Sequence, residues 1–254
     1  MAGRLEGTVA LVTGASSGIG EATALALGAQ GAAVAIAARR RDRLETLAKR
    51  IEAEGGRALV IETDVTQESQ ASEMVRRTVG ELGRLDSLVN NAGVMLLGPI
   101  LDAPTDEWRR MVELNLLGLL YCTHSALPHL LEAAARDPRN VADVVNVSSV
   151  AGRIARLGSG VYNATKFGVG AFSESLRQEV TSRHVRVTIV EPGAVMTELA
   201  THLRREILEQ QASNFAGVEM LHAEDIADAV VYAVTRPRRV VLNEVLVRPT
   251  EQER

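Results

Sequence analysis

Residues 9–20 read VALVTGASSGIG. VALVT is a short apolar run of strand formers, the pattern of a strand buried on both faces. Glycines 14, 18 and 20 follow at once, and a helical pattern then runs to about residue 30, where Gly31 ends it. A tight turn between strand and helix needs residues without a Cβ, and so does main chain that must come close to a pyrophosphate. The N-terminus of the following helix presents free N–H groups to such an anion. Ser16 and Ser17 add hydroxyl donors. Gly14, Ser16, Ser17, Gly18, Ile19 and Gly20 are therefore candidate cofactor-binding residues. Their spacing is G-x-x-x-G-x-G, not G-x-G-x-x-G, but the physical need is the same.

Working outward, short apolar runs alternate with longer amphipathic ones. AVAIAA (33–38), ALVIETD (58–64), LDSLVNN (85–91), VADVVNVSS (141–149), VRVTIVEPG (185–193) and VVLNEVLVR (240–248) read as further strands. Helices are predicted between them, including one from about 105 to 135, bent near Pro128, and one from about 159 to 183. Strict alternation implies right-handed crossovers: an α/β fold, a single-domain Rossmann-like doubly wound sheet of about seven parallel strands with helices on both faces. Ligands bind such sheets outside the carboxyl ends of the strands. Those ends fall at Gly14, Ala38–Arg39, Asp64, Asn91, Ser149 and Pro192–Gly193, so polar residues gather on one rim.

The bulk composition agrees. The 254 residues suit one large α/β domain over 1–254, with a polar, weakly patterned lid segment at about 194–222. Apolar residues make up 46% and aromatics only 3%, so Val, Leu, Ile and Ala must build the core. A net charge of −4 gives no reason to expect nucleic acid or an anionic membrane as partner. Cys122 is the only cysteine, which excludes an intrachain disulfide and suits a reducing cytoplasm. No signal peptide or membrane span is expected at the start of the chain. The five histidines show no metal spacing, so no metal is expected.

In VYNATKFG (161–168), Tyr162 and Lys166 lie at i and i+4, on one face of a helix. A free phenol titrates near 10, too high for ready proton exchange at neutrality, and a nearby ammonium lowers that value. The pair reads as an acid/base and the charge that tunes it.

TGASSGIG (13–20), NNAG (90–93), Asn115, Ser149, Tyr162-x-x-x-Lys166 and Pro192–Gly193, in this order, resemble the short-chain dehydrogenase/reductase superfamily over nearly the whole chain. The resemblance implies hydride transfer between nicotinamide C4 and a carbonyl carbon. Tyr162 would be the acid/base, and Lys166 would also hold the nicotinamide ribose. Ser149 would orient the carbonyl and Asn115 support a proton relay. It places Asp64 and Val65 at the adenine, and Asn91, Ala92 and Gly93 near the adenosine ribose, with Asn90 purely structural. Val195 and Thr197, after Pro192 and Gly193, would meet the carboxamide. The acidic position that binds the ribose of NAD is Ala38 here, followed by Arg39, Arg40 and Arg41. Guanidiniums there suit a 2′-phosphate, so NADP(H) is the expected cofactor, with Arg39 the first contact and Arg40 the second. Arg41 and Arg43 read as a solvated helix start. Ser17 stands where some NADP-preferring relatives carry a second basic residue.

GAAVAIAARR, NNAGVMLLGP, ATKFGVGAFSESLRQEV and the ending VLVRPT resemble clavulanic-acid dehydrogenase and, more loosely, the 3-hydroxy-acid dehydrogenases. Met95, Leu96, Leu97, Ile154, Leu157 and Met196 suggest apolar substrate walls, and Arg153 and Arg156 are candidates for a substrate carboxylate. The expected activity is NADPH-dependent reduction of a small-molecule carbonyl, reversible as alcohol oxidation. A 3-oxoacyl-carrier-protein reductase or a non-catalytic NADP sensor are the alternatives. A homotetramer is expected, with a dimer next.

Overall fold

The computed structural model describes residues 3–101, 103–136, 138–215 and 217–252. Ala216 of the predicted lid and residues 1, 2, 102, 137, 253 and 254 of the predicted domain lie outside them. The first half of the chain gives β1 (Val9–Thr13), α1 (Gly18–Ala29), β2 (Ala33–Ala38), α2 (Arg41–Ala53), β3 (Arg57–Glu62), α3 (Glu68–Leu82) and β4 (Ser87–Asn90). The second gives α4 (Thr105–Val112), α5 (Gly118–Ala134), β5 (Ala142–Val147), α6 (Gly160–Val180), β6 (Val185–Pro192), α7 (Arg205–Asn214), α8 (Ala223–Val234) and β7 (Glu244–Val247).

All seven strands are parallel, in the order β3-β2-β1-β4-β5-β6-β7. The pleat divides the core. Ala10 and Val12 of β1 pack with Leu27 of α1, Leu44 of α2 and Val230 of α8. Leu11, between them, joins Met74 of α3, Leu130 of α5 and Leu176 of α6 on the other face. With both faces covered by helices, β1 and β2 carry apolar side chains at nearly every position. The strand order reverses between β1 and β4, and that is where a crevice opens at the carboxyl ends.

The last strand is shorter than the predicted 240–248, and two predicted elements beside the cleft also differ. The long helix at 105–135 is interrupted not at Pro128 but at a π-helical turn, Glu113–Leu117, where Gly118 N–H reaches back five residues to the Glu113 carbonyl. Pro128 sits inside α5 without ending it. The wide turn forms because the Asn115 side chain is drawn out to the backbone of Val94. Its Oδ1 accepts from Val94 N at 2.7 Å and its Nδ2 donates to Val94 O at 2.8 Å. The fourth strand stops at Asn90 because the next two amides leave the ladder: Asn91 N and Ala92 N both donate to Thr13 Oγ1, at 3.0 and 3.2 Å.

Candidate active site

Two of the loop glycines have positive φ, Gly14 at 65° and Gly18 at 56°, so a side chain at either would be strained. A Cβ on Gly14 would also lie 2.8 Å from Ala92 Cα. Asn91 Nδ2 ties the turn down by donating to the carbonyls of Thr13 and Gly14, at 3.0 and 3.2 Å. Ser17, the N-cap of α1, makes no side-chain cap, which leaves the first-turn amides to whatever anion enters. A cleft of about 750 Å³ begins here. Gly14, Ser16, Ser17, Gly18 and Ile19 line it, and Gly20 does not. A Cβ on Gly20 would sit 2.4 Å from Gly14 O, so this glycine lets the helix pack against the turn instead of touching a ligand.

At the end beside β2 the cleft is lined by Arg39, Arg40, Asp64 and Val65. The two arginines differ in what holds them. Arg40 is tied to the glycine loop, its guanidinium donating to Ser16 Oγ at 2.9 Å and Ser17 Oγ at 2.7 Å. Arg39 is exposed, with no hydrogen bond or ion pair among the described residues. Arg43, read as solvated, is exposed and also donates to Glu198 at 2.6 Å. Asp64 Oδ1 accepts from Thr66 N and Oγ1, at 3.0 and 2.8 Å, which orients the carboxylate. Asn90 lies behind the cleft in a buried chain linking Thr123, Asn146 and, through Asn146, Ser173, which matches its structural reading.

At the other end, Asn91, Ala92 and Gly93 lead to Ser149, Tyr162 and Lys166, with Pro192, Gly193, Val195 and Thr197 opposite. Ser149 Oγ caps a short turn by accepting from Ala151 N at 3.1 Å. Its neighbour Ser148 is spent on the Lys166 carbonyl. Tyr162 and Lys166 are both buried, the ammonium 5.8 Å from the ring centroid. Lys166 Nζ donates to Val147 O at 3.0 Å, its one recorded acceptor among the described residues. A buried ammonium with donors to spare beside a groove is a fit for ligand hydroxyls. Asn115 does not line the cleft; it holds the Gly93–Val94 backbone in front of Lys166.

Met95, Leu97, Val150, Leu199, Leu203 and Met220 give the cleft apolar walls. Met196 also lines it, whereas Leu96 is buried beneath and Ile154 and Leu157 point away into solvent. Arg153 is not available to a substrate. Its Nε donates to Glu191 at 2.6 Å and its Nη2 to Glu244, which fastens the 150–153 turn to the sheet edge. Arg156 lines the cleft. Asn163 was missed by sequence reasoning although it lies inside the quoted motif. Its Nδ2 donates to the carbonyls of Ala151 and Ile154, at 2.6 and 3.0 Å, and so holds the wall around Ser149. Among the described residues no cluster of His, Cys, Asp and Glu could hold a metal ion, and no helix is long and apolar enough to cross a membrane.

Residues 8–208 match the short chain dehydrogenase family. The chain belongs to that family. It is 40% identical over 250 residues to glycine betaine reductase ATRR of Emericella nidulans, a match covering 98% of this chain but only 19% of that much longer protein. It is 35% identical over 246 residues to an uncharacterized oxidoreductase of Staphylococcus saprophyticus, covering 96% of each. The closed form of a serine dehydrogenase complexed with NADP+ superposes with a TM-score of 0.88 at 31% identity, covering 97% of each chain.

The electrostatics of this family member correct one expectation. Burial pushes the Tyr162 phenol up to about 12, and its hydrogen bond with Ser149 offsets only part of that. Burial also brings Lys166 down to about 8. Burial is the largest cause of both shifts, because a dry pocket disfavours the phenolate and the ammonium alike. The lysine has a consequence for stability. The folded protein gives up this proton near pH 8 and the unfolded chain near 10.5. The unfolded chain thus binds more protons in that window, and stability rises with pH across it. Tyr162 works the other way only above its ordinary 10.0. Between about pH 8 and 10, the melting temperature of the wild type is therefore expected to gain several degrees on that of Lys166→Met. Parallel melting curves across that range would show that the buried ammonium carries no such cost.

Proposed function

We propose that this chain is an NADP(H)-dependent carbonyl reductase, reversible as an alcohol dehydrogenase. The observation that carries the reading is one continuous cleft with Arg40, Ser16 and Ser17 at one end and Ser149, Tyr162 and Lys166 at the other. Its length and polarity suit a 2′-phosphorylated dinucleotide, with the pyrophosphate at the uncapped N-terminus of α1. The NADP+ bound by the serine dehydrogenase neighbour agrees.

Bound NADPH supplies the hydride that goes to the carbonyl carbon. The protein does the rest. Ser149 donates to the carbonyl oxygen and stabilises the negative charge that grows there. Tyr162 gives its phenolic proton to that oxygen, and the alcohol leaves neutral. Lys166, with Asn115 shaping the backbone before it, holds the ribose hydroxyls and supports the proton relay that recharges the phenol. Asp64 and Val65 border the adenine, and Val195 and Thr197 the carboxamide. The walls of Met95, Leu97, Leu199 and Met220 favour apolar aldehydes and ketones. With Arg153 locked to Glu191 and Glu244, a substrate carboxylate finds less support. We read the assembly as a homotetramer, for which Phe167 on α6 and Leu246 on β7 supply exposed apolar surface, and the setting as cytoplasmic.

The test is NADPH and NADH oxidation against a panel of aldehydes, ketones and a 3-oxoacyl-carrier-protein thioester. Faster turnover with NADPH on free carbonyls is expected. NADPH binding without oxidation by any carbonyl would overturn the reading in favour of a sensor, and turnover confined to the thioester would favour the carrier-protein reductase.

A further inference from the structure

Glu198 opens the lid as the first residue of a short 3-10 turn, Glu198–His202. Its carboxylate is gripped at both oxygens. Arg40 Nη1 donates to Oε2 at 2.8 Å, and Arg43 Nη1 to Oε1 at 2.6 Å. The side chains of Arg40 and Arg43 hold the carboxyl down at about 2, so it is fully ionised at any physiological pH. The rest of the Arg40 guanidinium is used on Ser16 and Ser17. An anion arriving at Arg40 therefore meets a carboxylate already there. Two anions on one pair of guanidiniums repel, and the carboxylate is the one free to leave. Its side chain is 44% exposed, that of Arg40 41%, so water can solvate both once parted.

We propose that Glu198 is a specificity-determining residue, an internal stand-in for the cofactor's 2′-phosphate that competes with it for Arg40 and Arg43. The proposal rests on the NADP(H) reading given above. Competition of this kind weakens binding of the phosphorylated nucleotide and leaves the unphosphorylated one untouched. It narrows the preference for NADP over NAD that the arginines create. It also ties nucleotide binding to the lid. The lid is pinned separately after this turn, by Arg204 Nη2 on the Leu97 carbonyl at 3.3 Å with Glu107 3.6 Å away. Displacing Glu198 therefore frees the first turn of the lid, while Arg204 continues to hold the stretch that leads into α7.

Calorimetry of wild type and Glu198→Gln with adenosine 2′,5′-bisphosphate and with 5′-AMP, plus amide hydrogen exchange over 197–203, tests this. The variant is expected to bind the bisphosphate about three- to tenfold more tightly, with its 5′-AMP affinity unchanged. In the wild type the bisphosphate, and not 5′-AMP, is expected to speed exchange in the Glu198–His202 turn. Equal or weaker bisphosphate binding by Glu198→Gln would mean that Glu198 props Arg40 in place, and would overturn the proposal. Unchanged exchange in that turn would overturn the link to the lid. If both proteins bound the two nucleotides equally, the NADP(H) reading itself would fall and the proposal with it.

Discussion

Tyr162→Phe is expected to lower the rate of carbonyl reduction about a thousandfold while leaving NADPH affinity within about threefold of wild type. The variant keeps the buried ring and removes one oxygen. The packing of the apolar cluster that Tyr162 forms with Val94, Leu97, Met111 and Leu203 is therefore preserved. What disappears is the proton donor and the partner of the Ser149 hydroxyl. Single-turnover kinetics with pre-bound NADPH would isolate the chemical step, and a loss smaller than about tenfold there would remove Tyr162 from the acid/base role. The pH dependence has a sign as well. Burial keeps the phenol protonated up to about 12 in the protein alone, so reduction begins with its proton in place throughout the neutral range. Alcohol oxidation needs the phenolate. Its rate is expected to climb with pH across the range where reduction stays level.

Arg40→Glu is expected to reduce kcat/KM for NADPH about a hundredfold and to leave that for NADH within about threefold. The substitution replaces a donor to Ser16 and Ser17 with a second carboxylate facing Glu198, so the site where a 2′-phosphate would sit becomes repulsive. A fall shared by both nucleotides would instead mean that Arg40 only braces the glycine loop. Because Arg39 stands exposed at the same end of the cleft, Arg39→Glu is expected to have the smaller effect of the two.

Much of the site was legible because it lies on local chemistry. A glycine turn needs particular residues in consecutive positions. An i,i+4 pair on a helix must share a face, so Tyr162 and Lys166 were bound to meet. The strand ends were readable because each apolar run stops at a small or polar residue. Asn163 could have been found by asking why an amide stands within the Tyr-x-x-x-Lys run. Nothing near Glu198 in sequence hints at Arg40, more than 150 residues away. Arg153 carried no sign that Glu191 and Glu244 would claim it.

The sequence by itself determined the alternation of strands and helices, and with it the parallel sheet, the rim on which polar residues collect and the family to which the chain belongs. These follow from periodicity and backbone sterics, which act over a few residues. Only the tertiary structure decided which arginine meets the glycine loop, where the long helix breaks and how strongly burial shifts Tyr162 and Lys166. Those depend on what other segments bring alongside, and on how much water the packed chain excludes, quantities that exist only once distant residues are in contact.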